Sequence, residues 1–551
     1  MPALGSSLVR RMRTLAAAYA AFPGTPPEDP LEVLAWYEAQ TAATARMAAT
    51  APVAPRTPEI SRRAFLRRSA AVGAGALGAS VLGWGSARPA RAGSGNVVII
   101  GAGLAGLTCA YRLAQHGIAS TLYESRNRMG GRCWTVRVFD HHQTAEHGGQ
   151  YIDTRHNQIR SLAKELGLHL VDTYEQSFPE GDLSPIWIDG ALRSEDRVFR
   201  DFGIFFRQLK ADFERVGSYF YDEAGPAAVR FDRMTVNEYL DKTIPGGLTS
   251  LLGRAIERSN TGFWGLDGED LSAINLFEFY VSPYPGANER YRVVDGNDRI
   301  VERLVESLPS GTIQAERPLE AIWTQSDERI GLRLGGVRSD VSADLVVLAL
   351  PFTVLRDIDY SGLRLSRRRT RAIETLAMGT NSKLQLQLNR SFKSLDWSGS
   401  YRSEEPEFGT WDSTYGQSNP APESPILTIY TGGRSGASYP TDRPHGIAPT
   451  KAVNDALDAI ARGIDGIHDA YGGLAYLDSW VDDPWVHGSY AGFGPGQYTD
   501  FWGYLHKPAG SVLFAGEHTS THSQGYLNGG VESGERAAHQ VLSRLGMRRA
   551  G

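Results

Sequence analysis

The chain has 551 residues, of which 41% are hydrophobic, 22% charged and 10% aromatic. That is the composition of a folded protein of two or three domains, and it excludes a disordered chain or a small module. Its two cysteines, Cys109 and Cys133, exclude a disulfide framework and a thiolate metal centre, leaving one optional bridge open. Of 57 Lys+Arg and 62 Asp+Glu, residues 1–92 hold 11 and 5, so the rest of the chain carries a net charge of −11. An acidic body repels phosphate backbones and attracts small cations, so no nucleic acid partner is expected.

Taken in chain order, the first signal is Ser61-Arg62-Arg63-Ala64-Phe65-Leu66-Arg67-Arg68, followed by an uncharged Ala/Gly/Val/Leu run over 69–87 and by Ala90-Arg91-Ala92. Twin arginines, a moderately apolar stretch and a small-x-small end make a twin-arginine export signal, with cleavage expected after Ala92. The destination is then periplasmic or extracellular, with the twin-arginine translocase as a transient partner. The run is Gly/Ala-rich and too weakly apolar for a stable membrane span. This route exports folded proteins, which suits a chain that takes up its cofactor first. Residues 1–92 are therefore expected to be an address rather than part of the fold, and a helix-like stretch over 30–50 has no role in that reading.

The mature chain opens with Asn96-Val97-Val98-Ile99-Ile100, a buried strand by its β-branched run, leading into Gly101-Ala102-Gly103-Leu104-Ala105-Gly106 and a helical pattern that ends at Gly117. Strand, glycine turn and helix together bring free N–H groups to a pyrophosphate. A second strand ends at Glu124, 18 residues beyond Gly106, where an acid accepts hydrogen bonds from ribose hydroxyls. Gly101, Gly103, Ala105, Gly106 and Glu124 are thus candidate dinucleotide-binding residues.

The residues just beyond Glu124 decide which dinucleotide. Glu124-Ser125-Arg126-Asn127-Arg128-Met129-Gly130-Gly131-Arg132 resembles the segment Glu-x-x-x-Arg-x-Gly-Gly-Arg of the flavin amine oxidase family, so the resemblance implies FAD, with Arg126, Gly130, Gly131 and Arg132 at the cofactor. Glu146-His147-Gly148-Gly149-Gln150-Tyr151 is similar to the family's strand beside the flavin, which adds Gly148, Gly149 and Gln150. Leu319 stands where the family's backbone meets adenine, and residues 344–351 match a buried strand ending in Leu-Pro. Near the C-terminus, Ala515-Gly516-Glu517-His518 and Gly525-Tyr526-Leu527-Asn528-Gly529-Gly530 match a second cofactor-closing unit. By resemblance Gly516 and Glu517 face the ribityl chain, and the Leu527 N–H faces the flavin. The resemblance covers residues 96–545.

Within the family, chemistry is set by a few residues. Lys383 lies in Met378-Gly379-Thr380-Asn381-Ser382-Lys383, the setting of the lysine that monoamine and polyamine oxidases bind through water to flavin N5. The alternation of Leu384, Leu386 and Leu388 with polar residues predicts a half-buried strand there. Trp480 opens a segment that resembles the one carrying the first of two aromatics flanking the substrate amine, here Tyr490, and Tyr526 matches the second. Two aromatic faces make a cation-compatible, water-poor slot. Ser489 stands where covalent monoamine oxidases have a cysteine bonded to the flavin, so dissociable FAD is expected. L-Amino-acid oxidases clamp the substrate carboxylate with an arginine near this chain's Tyr151, leaving Arg155 as the candidate anchor.

The expected fold is α/β: a Rossmann-like FAD-binding domain (93–181, 298–355 and 481–551) interleaved with an α+β substrate-binding domain (182–297 and 356–480). The activity implied is oxidation of an amine to an imine, with O2 reduced to H2O2. L-Amino-acid oxidation and flavin-dependent desaturation remain the other readings. The partners are a small amine or amino acid and O2, with a homodimer left open.

Overall fold

Val97, Val98, Ile99 and Ile100 are stiff, apolar side chains between Asn96 and Gly101, a pattern that makes a short strand covered on both faces, and all four are buried. The computed structural model describes residues 95–173, 186–193, 195–281, 288–418 and 420–547, with parts of 14–40. The export signal expected over 61–92 lies outside the described residues.

From residue 95 onward the chain opens with β1 (Val97–Ile100), α1 (Leu104–Gln115) and β2 (Ser120–Tyr123). Then come β3 (Ile186–Ile188), β4 (Ala191–Arg193), α2 (Glu195–Val216) and α3 (Leu251–Trp264). β5 (Ile313–Gln314) and β6 (Leu345–Leu348) precede β7 (Ser382–Leu388), β8 (Arg402–Glu404), β9 (Glu407–Asp412), β10 (Ile426–Thr431), β11 (His445–Ile447) and β12 (Tyr471–Ser479). β13 (Val512–Phe514) and α4 (Leu527–Arg544) finish it.

The two largest sheets draw alternately on this chain. Five parallel strands pair in the order β13-β6-β1-β2-β5, so strands distant in sequence flank β1. α1 packs on this sheet with Cys109 fully buried in its core, and burial pushes that thiol up to about 12. Cys133 is buried too, and both cysteines are free. An eight-stranded sheet has the order β11-β12-β7-β10-β9-β8-β3-β4. The mixed α/β architecture is the one expected.

Two expectations are corrected. β7 is not half-buried, because all seven of its residues are buried. Its polar face is covered by backbone of the glycine-rich segment and its approach: Gln385 Nε2 donates to Glu146 O at 3.0 Å, and Gln387 Oε1 accepts from Asp140 N at 2.9 Å. A period of two records which face is polar, and does not record whether water or protein satisfies it. Residues ahead of the export signal, expected to stand apart from the fold, also belong to it in part. Leu15, Ala18, Tyr19, Val33 and Leu34 are buried in the same apolar cluster as Phe202 and Phe206 of α2. The Tyr19 and Phe206 rings stack at 5.5 Å, and Gly203 of α2 makes room for Pro30.

Candidate active site

At Gly106 an added Cβ would stand 1.9 Å from Gly101 O, so α1 sits against the strand end as only glycine allows. At Gly103, by contrast, nothing lies within 4 Å of that position. The open side faces a cavity of about 500 Å³. Of the residues singled out from the sequence, the cavity is lined by Gly101, Gly103, Ala105, Glu124, Arg126, Gly130, Gly131, Arg132, Gly148, Gly149, Leu319, Lys383, Trp480, Tyr490, Gly516, Glu517, Tyr526 and Leu527. Gly106, Gln150, Tyr151 and Arg155 are not part of its wall. Gly106 acts in packing, and Gln150 stands behind the wall as a partner of Lys383.

The carboxylate of Glu124 clasps the glycine turn, accepting from Ala102 N at 2.7 Å and from Ser125 Oγ and Arg126 N at 3.0 Å. Three segments converge on Glu517, two of them distant in sequence. It accepts from Arg132 at 3.0 Å, from Ala491 N at 3.1 Å and from Gly525 N at 2.7 Å, and Arg132 also donates to Ser489 O at 2.7 Å. The N-terminus of α4 begins at Leu527 on the same wall, where free N–H groups and the helix dipole favour negative charge. An open glycine cradle, a helix N-terminus and a large cavity together fit a dinucleotide.

Lys383 is buried, and its Nζ donates to Glu146 O at 3.0 Å, Gly148 O at 2.7 Å and Gln150 Oε1 at 3.3 Å. Three acceptors match the three N–H bonds of an ammonium. Burial pulls the other way, overcoming Glu146 and Asp478, and brings the Lys383 amine down to about 7. The group therefore sits near the balance between its charged and neutral forms at neutral pH. Burial likewise raises the carboxyl of Glu146, despite the Arg292 guanidinium 3.6 Å away.

The Tyr490 hydroxyl donates to Phe263 O of α3 and shares a 3.0 Å hydrogen bond with Tyr430 Oη of β10. Burial pushes both phenols up, so both remain protonated. Trp411 of β9 packs 5.5 Å from the Tyr430 ring and 5.9 Å from Lys383 Nζ. Tyr526 packs on His156 with ring centroids 4.7 Å apart. Tyr151 belongs to a small buried cluster with Trp411 and Tyr430. The Arg155 guanidinium is paired with Asp153 at 3.2 Å. Ser489 Oγ donates to Asn381 Oδ1 at 2.6 Å.

Sequence reasoning missed a buried ion-pair chain beside the cavity. Arg126 pairs with Asp483, which binds His445 Nε2 at 2.9 Å; His445 Nδ1 meets Asp478 at 2.7 Å, and His147 Nδ1 meets the same oxygen at 2.6 Å. Burial disfavours a charged His445, yet the two carboxylates outweigh it and hold the imidazole above its ordinary value. Burial holds His147 below it. Asp483 lies well below the usual carboxylate range, because His445 and Arg126 more than offset its burial. The ligand atoms of His147, His445 and Asp478 lie within 4.8 Å of one another, but they are already bonded among themselves. No local pattern announces this cluster; only Glu146-His147 adjoins a recognisable motif.

The sequence model of the family described as flavin containing amine oxidoreductase matches residues 104–542. The chain belongs to that family. As a flavin-containing amine oxidoreductase it is an FAD-dependent enzyme acting on CH–NH2 groups. Flavin-containing amine oxidase A of Canis lupus familiaris is 26% identical over 477 residues, covering 82% of this chain and 85% of that protein. Flavin-containing amine oxidase B of Homo sapiens is 26% identical over 486 residues, covering 82% and 86%. Among solved structures, cyclohexylamine oxidase from Brevibacterium oxydans has a TM-score of 0.69 at 23% identity, covering 82% of this chain and all of that one. Putrescine oxidase bound to putrescine has a TM-score of 0.69 at 20% identity, covering 82% and 99%. At those identities the structural likeness speaks to the fold. Among the described residues, no helix is long and apolar enough to cross a membrane.

Proposed function

We propose that the protein is an amine oxidase that takes a primary or secondary amine to an imine, which water hydrolyses to a carbonyl compound and ammonia or the smaller amine, while O2 becomes H2O2. The observation that carries this reading is one cavity wall holding the dinucleotide glycines together with Lys383, Tyr490 and Tyr526. When bound, FAD supplies the hydride acceptor and passes its electrons to O2. Tyr490 and Tyr526 hold the amine between ring faces, where water is scarce and the carbon beside nitrogen can be presented for hydride loss. The shared hydrogen bonds of Tyr490 fix one of these rings. Lys383, anchored on three oxygens, holds a proton at Nζ that is available when O2 is reduced.

L-Amino-acid oxidation is the weaker alternative. Arg155 is committed to Asp153; of the three arginines that line the cavity among the described residues, Arg126 and Arg132 are committed to Asp483 and Glu517, and Arg317 stands beside Pro318 and Leu319, at the end where adenine is expected. An amine without a carboxylate therefore suits the site better. We also propose that FAD is held without a covalent bond, since Ser489 offers no thiol, and that the chain is exported by the twin-arginine route as a monomer or homodimer.

The test is peroxide release from purified yellow protein given monoamines, diamines, polyamines and L-amino acids. Peroxide from amines alone supports the reading, and peroxide from L-amino acids alone replaces it. Acid precipitation that leaves a yellow pellet would sink the non-covalent assignment. Sequencing the N-terminus of secreted protein tests cleavage after Ala92, which would remove with the signal the segment that contributes Leu15, Tyr19 and Val33 to the core.

A further inference from the structure

A second cavity, of about 40 Å³, adjoins the large one at Tyr430. Among the described residues, Tyr430 is the one that lines both. The second cavity is enclosed by β3, by α3 and by β8 and β9. Three buried polar atoms in its walls have no hydrogen-bond partner: Ser403 Oγ, Glu407 Oε1 and Trp411 Nε1. Their residues are 4%, 5% and 5% exposed, so bulk water does not serve them. Glu407 and Trp411 stand four residues apart on β9 and therefore share a face. A space of this size holds a few waters or one small polar group at the end of a carbon chain.

The chemistry of the three atoms narrows what that group is. Glu407 Oε2 already accepts from Arg258 at 3.0 Å, a guanidinium it shares with Glu257, and Arg402 brings a second cation to the cavity wall, so the acids there are met by fixed positive charge. A second ammonium would enter without an unmatched anion to meet it. The indole N–H of Trp411 is a donor only and needs an acceptor, which an ammonium cannot be. A hydroxyl accepts from Trp411 and donates to Glu407. It also serves either state of Glu407, whose carboxyl burial lifts to about 8 despite Arg258.

We infer that this cavity is the distal subsite of the substrate and takes the neutral hydroxyl end of an amine whose chain runs past Tyr430. The inference rests on the amine-oxidase reading above. It is tested on the holoenzyme with a series of unbranched amines of about three to eight carbons, each length supplied with a methyl, hydroxyl or ammonium far end. At the fitting length the amino alcohol should exceed its methyl counterpart in kcat/KM by about tenfold, the effect of one good polar match. In Trp411→Phe and, independently, in Ser403→Ala, that ratio should fall toward one, whatever happens to the absolute rate. Equal rates for methyl and hydroxyl ends at every length would mean the cavity holds only water. A diamine that outperforms the amino alcohol would overturn the neutral-end assignment. No peroxide from any member would sink the amine-oxidase reading itself, and this inference with it.

Discussion

Lys383 of β7 and Asp478 of β12 stand directly opposite one another in antiparallel pairing. Opposed residues share a face of the sheet, so a buried cation that touches the cofactor cavity and a buried anion lie side by side. Asp478 meets His445, His445 meets Asp483, and Asp483 meets Arg126, which lines the dinucleotide end of the same cavity. Charges alternate along the whole path from Lys383 to Arg126. Each member is desolvated, and each has an opposite neighbour to offset that cost.

The first prediction concerns Lys383. Its amine is lowered from the usual value of 10.5 to about 7, so its proton is lost as pH rises through about 7. Oxygen uptake by enzyme already reduced with substrate should therefore slow as pH rises through that value. Lys383→Met should make uptake about 10²-fold slower, the typical loss on removing one preorganised donor, and should flatten the pH profile. Stopped-flow reoxidation over a pH series reads both. A profile unchanged in the variant would show that another group titrates.

The second prediction concerns His445, whose folded value is raised above 6.5. A raised histidine contributes stability that is complete below 6.5 and is lost as pH rises through its higher folded value. Asp478 is lowered from 3.8, so its contribution is present above 3.8 and is lost as pH falls through its folded value. Between those limits the chain of charges is intact. His445→Gln should cost on the order of 3 kcal/mol there, by leaving two buried carboxylates short of a cation. The difference in Tm from the parent should shrink in alkaline buffer. A constant difference at all pH would show that shape, not charge, is what His445 provides.

Much of the cofactor site was legible because its signals are local. The turn from Gly101 to Gly106, the acid Glu124 and the Gly130-Gly131-Arg132 step each sit within a few residues of a strand end. The partners of Arg126 and Arg132 were not legible, since they arrive from residues 483 and 517. Trp411 and Tyr430 carry no signal beyond aromatic residues on buried strands, which is the signature of core. Arg155 was a reasonable anchor by position, but Asp153 two residues away takes its guanidinium. The helix-like stretch over 30–50 was visible, whereas the packing of Val33 and Leu34 into the apolar cluster that holds Phe202 and Phe206 of α2 could be found only in three dimensions.

A third prediction separates folding from cofactor binding within a single motif. Gly106→Ala places a methyl 1.9 Å from Gly101 O, so α1 must shift off the strand end, and the protein should be recovered colourless or insoluble. Gly103→Ala meets nothing within 4 Å and has an ordinary φ of −73°, so the fold should be kept. Its methyl reduces the open cradle, and FAD affinity should fall by about tenfold. Circular dichroism and flavin titration of the two variants distinguish them. A Gly106→Ala protein that is yellow and as stable as the parent would overturn the packing argument.

The last prediction concerns residues 14–40. Leu15, Ala18, Tyr19, Val33 and Leu34 are between 0% and 8% exposed in the apolar cluster that also holds Phe202 and Phe206 of α2, and the Tyr19 ring stacks on Phe206. Each apolar side chain removed from water contributes on the order of 1.5 kcal/mol before the ordering of its backbone is subtracted. Deleting residues 1–40 uncovers the α2 face and should lower Tm, raise binding of an apolar dye and favour aggregation. None of the described residues of this segment lines the cavity, so flavin absorbance and peroxide formation should survive at low temperature. A lower Tm with intact flavin assigns the segment a structural role against α2. An unchanged Tm would return it to the status of an appended address, as the sequence suggested, and would mean that the contacts with α2 are too weak to repay the order they require.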